Sequence, residues 1–149
     1  MKKGFTVIEL IIVISVLVIL IGIIVPRMNG MQQQGYITKV QAELLTLQSA
    51  MESYYNNSPK PASYPPSSPS PCVAYFIWAT PRIITSAMYD PFSPASEYDL
   101  VTSVNGQYYV FGSVGVNGRN FDGFTIDNTG TVNKGSNTNI ICITNGIGC

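Results

Sequence analysis

The apolar run near the N-terminus constrains the fold more than any other feature of the chain. It extends from Phe5 to Val25, and Glu9 is the only charged residue within it. As a helix this run is about 31 Å long at ~1.5 Å per residue, which matches the thickness of a bilayer core. The two lysines that precede it favour a cytoplasmic N-terminus. The run therefore predicts a transmembrane and assembly helix over residues 5–26.

A cleaved secretory signal does not fit this segment. Such signals have an apolar core of about 7–15 residues followed by a small-residue cleavage site. Here the apolar run is longer, and Pro26, Arg27 and Met28 follow it. The small residue, Gly4, lies before the run instead. We therefore expect any processing to take place on the N-terminal side of the apolar segment.

Residues 3–10, with the sequence KGFTVIEL, resemble the class III signal of type IV prepilins and type II secretion pseudopilins. In that family a prepilin peptidase cuts after the glycine, and the new N-terminal phenylalanine is methylated. The resemblance implies a leader peptide over 1–4, cleavage between Gly4 and Phe5, methylation of Phe5, and a role for Glu9 in assembly.

The same resemblance implies partners and a location. The partners are copies of the chain in a helical filament, the prepilin peptidase, the inner-membrane assembly platform and the membrane. The location is a single-pass position in the inner membrane before assembly, then a periplasmic or cell-surface filament.

The chemistry of Glu9 fits such a role. Cleavage would create an α-amine at Phe5, which is cationic near neutral pH. Positions 5 and 9 are one helical turn apart, so the amine and the carboxylate of one chain could meet. In the family the carboxylate pairs with the amine of a neighbouring subunit. The sequence leaves the intramolecular and the intermolecular pairing open.

The overall composition argues against catalysis and nucleic-acid binding. Eight basic and eight acidic residues balance, and histidine is absent. The commonest general base is therefore missing, and no basic excess points to nucleic acid. We expect a chain that is not an enzyme and needs no cofactor. Asp90, Glu97 and Asp99 are interpreted as solvated loop and strand-edge charges.

A second helical segment is predicted over 27–57. Apolar residues recur there at spacings of three and four, which indicates one buried stripe formed by Ile37, Val40, Leu44, Leu47, Met51 and Tyr54. Between the two halves, Gly22 and Pro26 predict a helix break, because proline lacks an N–H and its ring crowds the preceding turn.

The remainder of the chain reads as a connector followed by strands. Six prolines within residues 58–71 predict an extended connector, which with the following loop covers 58–88. Over 89–149 we expect an antiparallel β region with a C-terminal loop and a two-residue turn at Asn105-Gly106. The predicted fold class is α+β: a long N-terminal helix, half transmembrane and half amphipathic, packed on a small antiparallel β-sheet in a pilin-like arrangement.

The β region also resembles the major pseudopilin of type II secretion, through the segments YDPF (89–92), NGQYYV (105–110) and SVGVNG (113–118). Major pseudopilins bind one calcium ion in the last of these loops. The resemblance implies a weak calcium site at Ser113, Asn117, Asn120 and Asp122. Only one of these residues is acidic, whereas calcium prefers several carboxylates.

Three cysteines remain, and an odd thiol is left over in every pairing scheme. Cys142 and Cys149 are close enough to close a short C-terminal loop, which is the pairing we predict, although Cys72 could take either of them. A cysteine-closed tail resembles type IV pilins more than pseudopilins. The sequence thus predicts a structural subunit of a type II secretion pseudopilus or type IV pilus filament. The alternatives are an adhesive or motility pilin and a membrane-tethered ligand-binding domain.

Overall fold

The computed structural model describes residues 5–59, 62–67, 72–116 and 121–149, with the backbone alone for residues 24–29. These residues form an α+β fold with a long N-terminal helix and small antiparallel sheets, which confirms the predicted class. The elements in chain order are α1 (Val7–Asn57), α2 (Ala74–Ile77), β1 (Asp99–Thr102), β2 (Tyr109–Ser113), β3 (Phe124–Ile126), β4 (Val132–Lys134) and β5 (Ile141–Thr144).

The chain divides into two compact units, Met1–Gly35 and Tyr36–Cys149. The described part of the first unit consists of the beginning of α1. Within the described residues, no helix is both long enough and apolar enough to cross a membrane. The predicted transmembrane helix over 5–26 and the predicted single-pass inner-membrane location are therefore wrong. That prediction rested on the length of the apolar run, on the lysines that precede it and on the resemblance to prepilins.

The helix α1 is continuous through Gly22 and Pro26 in the single chain. The break predicted from the sequence at these positions is therefore not seen in the backbone of the single chain. For a helix packed in a filament, an opening there stays a prediction.

The second unit has its core between the later part of α1 and the strands. The predicted apolar stripe is confirmed: Val40, Leu44, Leu47 and Met51 are at most 2 % exposed, and the residues at its two ends are half-buried. The stripe packs against apolar side chains of β1, of β2 and of the residue before β1, which alternate inward along the strands. These are Tyr98, Leu100, Tyr109 and Phe111.

Among the described residues, five strands form two antiparallel sheets, whereas one small sheet was predicted. The first sheet has the order β1-β2-β5 and the second pairs β3 with β4. In the first sheet Leu100 lies opposite Phe111, which in turn lies opposite Ile143. The second sheet and the outer face of β2 share a smaller apolar cluster that includes Phe124, Ile126 and Val132.

The turn between β1 and β2 differs from the predicted one. The Gly106 N–H donates to the carbonyl of Ser103, so the turn is centred on residues 104 and 105, with Gly106 in last place at φ +66°. The Asn105 side-chain oxygen accepts hydrogen bonds from Ser103 Oγ and from the Gln107 N–H. These two bonds stabilise the longer loop, because an asparagine side chain readily closes local turns.

Candidate functional site

The N-terminal end of α1 carries a reciprocal cap formed by Thr6 and Glu9. The Thr6 N–H and hydroxyl donate to Glu9 Oε2 at 2.9 and 2.7 Å, and the Glu9 N–H donates to Thr6 Oγ1 at 3.3 Å. This is a capping box, in which an N-cap threonine and the residue three positions later satisfy otherwise unpaired N–H groups. The T-x-x-E pattern that indicates a capping box is present in the sequence, but on the sequence alone it is interpreted only as part of the leader motif.

The described hydrogen bonds of the Glu9 side chain are therefore with Thr6 and not with Phe5. Gly4 lies outside the described residues, and Phe5 is largely exposed. In the single chain the carboxylate is exposed to solvent and helps to start the helix. The contacts with Thr6 use Oε2 alone, so the other carboxylate oxygen can accept a hydrogen bond from a cation of another molecule.

Apolar side chains cover every side of the described part of this helical segment and are exposed. Fifteen large apolar residues between positions 5 and 23 are each at least 49 % exposed. A helix that is apolar all round is normally buried by other elements or molecules. Exposed apolar surface on this scale marks an interaction site.

The predicted calcium ligands are only partly described. Ser113 ends β2, is buried, and its hydroxyl accepts a hydrogen bond from the Gly115 N–H. Asp122 lies in the turn before β3, whereas Asn117 and Asn120 lie outside the described residues. One carboxylate and one engaged hydroxyl fall short of the oxygen ligands that calcium takes. Within the described ranges no three acidic or cysteine side chains form a metal-binding group, and we assign no calcium chemistry.

The three acids interpreted as solvated are buried, so that interpretation is wrong. The Asp90 carboxylate accepts hydrogen bonds from the Phe92 and Val114 N–H groups at 2.9 Å each. Glu97 accepts one from the Val73 N–H at 3.2 Å. These carboxylates accept hydrogen bonds from backbone N–H groups of neighbouring segments, so buried polar groups on both sides are satisfied.

The third buried acid, Asp99, has a different environment. Its Oδ1 atom has no hydrogen-bond partner among the described residues. Burial raises the pKa of this carboxyl to about 6, since the charged form loses hydration. Nearby, the free thiol of Cys72 donates to the Tyr98 carbonyl, and burial together with the charges of Glu97 and Asp99 raises the pKa of the thiol. A thiol held protonated in this way is a poor nucleophile.

Within the second unit, two glutamates of α1 accept hydrogen bonds from tyrosines outside the helix. The Tyr98 hydroxyl donates to Glu43, and the Tyr109 hydroxyl donates to Glu52 at 3.0 Å. Tyr64 also donates to Glu52, at 3.2 Å. Burial and the charge of Glu52 raise the pKa of Tyr64 to about 12. The hydroxyls therefore remain protonated donors, and we call these contacts the tyrosine–glutamate clamps.

A disulfide joins Cys142 of β5 to Cys149 at the end of the chain, with a Cα–Cα distance of 5.5 Å. This bond closes the C-terminal loop.

Comparison of the chain with models of protein families, with curated proteins and with solved structures finds no match.

Proposed function

We propose that the chain is a structural subunit of a filament of the type IV pilus or type II secretion pseudopilus kind, with a pilin-like fold. In this proposal a prepilin peptidase removes residues 1–4, and subunits assemble through the beginning of α1. The carrying observation is the apolar helical segment between positions 5 and 23, whose side chains are exposed on all sides. A second unit with its own closed core accompanies it, as expected for a subunit that folds before it assembles.

Copies of the same segment are the partners that best account for this exposure. Packed side by side, such segments would bury one another's apolar side chains, which is the main favourable term in association. Burial would also remove water from Glu9, so its carboxylate would need a cation. The Phe5 amine created by cleavage supplies one, and a neighbour's amine could bond to Oε1 while Oε2 keeps its contacts with Thr6.

Glu9→Gln tests this proposal sharply because it separates two roles of the residue. Glutamine keeps the capping box but carries no charge. We expect Glu9→Gln subunits to accumulate and fold normally, yet to give no sheared filaments on electron microscopy. Ser15→Ala is the control, since Ser15 lies on the same exposed helix and bonds only to the Ile11 carbonyl. A normal filament yield from Glu9→Gln would contradict the assembly mechanism.

Intact-mass measurement tests the processing step independently. The purified subunit should begin at Phe5 and carry one added methyl group. A mature protein that retains Gly4, or that is cut after Pro26, would refute the leader assignment. A bulky replacement of Gly4 should block cleavage, because the small residue is what the family motif requires at that position.

Between the two kinds of filament, the disulfide favours the pilus. A tail closed by Cys142–Cys149 resembles type IV pilins more than major pseudopilins. Immunogold labelling of intact cells separates the alternatives, because long surface fibres are expected only for the pilus.

A further inference from the structure

A cleft lined by aromatic residues lies where α1 ends, beside α2 and the turn that follows it. Its volume is about 480 Å³, within the range of small-ligand sites. Tyr54 comes from α1, Tyr75 from α2, and Trp78 follows α2 directly. Trp78 is 80 % exposed, although tryptophan is ordinarily a well-buried residue. The cleft belongs to the second unit alone and is separate from the apolar helical segment.

Polar groups with unused hydrogen-bonding capacity surround these rings. Among the described residues, no hydrogen bond engages the indole N–H of Trp78 or the hydroxyls of Tyr54 and Tyr75. The Asn57 side-chain N–H donates to the Ser53 carbonyl at 2.7 Å, which leaves the amide oxygen of Asn57 as an acceptor. The described lining includes no acidic or basic side chain.

This combination selects the chemical class of the ligand. A charged ligand would find no counter-charge among the described lining residues, and a purely apolar ligand would leave the surrounding donors and acceptors unused. A neutral sugar suits both properties, because a pyranose has an apolar C–H face and a polar edge of hydroxyls. The indole of Trp78 offers a flat apolar surface with a polar N–H at its rim.

We propose that this cleft binds neutral carbohydrate, with a pyranose ring stacked on Trp78 and its hydroxyls bonded to Tyr54, Tyr75 and Asn57. The proposal goes beyond the filament function and does not rest on it. A subunit that fails to form filaments would still bind sugar.

The single tryptophan of the chain makes the test direct. The full chain is kept in a polyoxyethylene detergent without a sugar headgroup, and neutral trisaccharides (cellotriose, maltotriose and chitotriose) are titrated to about 50 mM. We expect a saturable change in Trp78 fluorescence for at least one of them, with a Kd near 1 mM, typical of a small open site. A panel without any saturable change would overturn the proposal.

Variants identify the site by saturation-transfer NMR on the bound sugar. Trp78→Ala should weaken binding about tenfold or more, and Tyr75→Phe about two- to fivefold, because it keeps the ring and loses only the hydroxyl. Tyr89→Ala is the control, since Tyr89 is an exposed tyrosine outside the cleft. Equal effects of Trp78→Ala and Tyr89→Ala would overturn the assignment.

A proline-rich peptide is the competing occupant, because aromatic grooves also accept polyproline segments. A synthetic peptide of residues 58–71 should neither saturate the fluorescence change nor displace the sugar. Displacement of the sugar by this peptide would overturn the proposal and identify a peptide groove instead.

Discussion

Replacing Asp99 with asparagine should stabilise the protein at neutral pH. Asp99 begins β1 opposite Gly112, is 7 % exposed, and has an Oδ1 atom without a hydrogen-bond partner among the described residues. Its pKa is raised from 3.8 to about 6 by burial. The folded state holds the proton of this carboxyl group more tightly than the unfolded state does. The contribution of the group to the free energy of unfolding is therefore fully present below pH 3.8 and is lost as the pH rises through about 6.

The size of the effect follows from the same difference in pKa. At ~1.36 kcal/mol for each pH unit, the upper limit is about 3 kcal/mol. Partial access of water to the carboxylate reduces this, so we expect about 1–2 kcal/mol. Asp99→Asn cannot ionise and should be more stable than the parent by that amount at pH 7. Near about pH 3.5 the two proteins should differ by less than ~0.5 kcal/mol.

Urea unfolding of the full chain, followed by the near-ultraviolet circular dichroism of the buried tyrosines, measures this difference across the pH range. Asp127→Asn is a control of opposite sign. Hydrogen bonds from Thr129 and from the Thr131 N–H lower the pKa of Asp127, so its contribution is present above its unfolded pKa and disappears as the pH falls. If the free energy of unfolding changes with pH in the same way for the parent and for Asp99→Asn, the reasoning is refuted.

Three further predictions concern the fold and the assembly. Tyr98→Phe should lower the free energy of unfolding by about 1–3 kcal/mol, because it leaves the half-buried Glu43 carboxylate without its hydroxyl donor; an unchanged urea midpoint would contradict this. Cys149→Ala should cost about 2–3 kcal/mol by opening the short loop closed with Cys142, and reducing agent should then have no further effect on unfolding. In a filament map, the helix should lose regular hydrogen bonds around Pro26, and an unbroken helix there would exclude the predicted opening.

Local patterns predicted the second unit well. The three-four spacing of apolar residues located the face of α1 that is buried, because residues three and four positions apart lie on the same side of a helix. The strands on either side of Asn105 and Gly106 pair as predicted. Their turn is longer, because the Asn105 side chain closes a wider loop and Gly106 occupies its last position.

Tertiary contacts explain what the sequence did not predict. Asp90 and Glu97 are charged and near strand ends, which usually means exposure. Their burial depends on N–H groups of loops distant in sequence, such as that of Val114. The cleft beside Trp78 likewise brings together residues from α1 and from the segment after α2. The capping box of Thr6 and Glu9 is different, because its T-x-x-E pattern is local and could have been predicted from the sequence.

The tyrosine–glutamate clamps have a mechanical consequence. Glu43 and Glu52 are nine residues apart, about 13 Å along α1 at ~1.5 Å per residue, and each is held by a hydroxyl from outside the helix. A pull along the helix axis would load both sets of hydrogen bonds in shear. Both sets would then oppose the sliding of the helix at the same time, rather than break one after the other. Slipping by a single turn, about 5.4 Å, would separate both glutamates from their tyrosines at once. The second unit should therefore yield to axial tension abruptly, over a distance of a few ångströms, rather than by gradual creep.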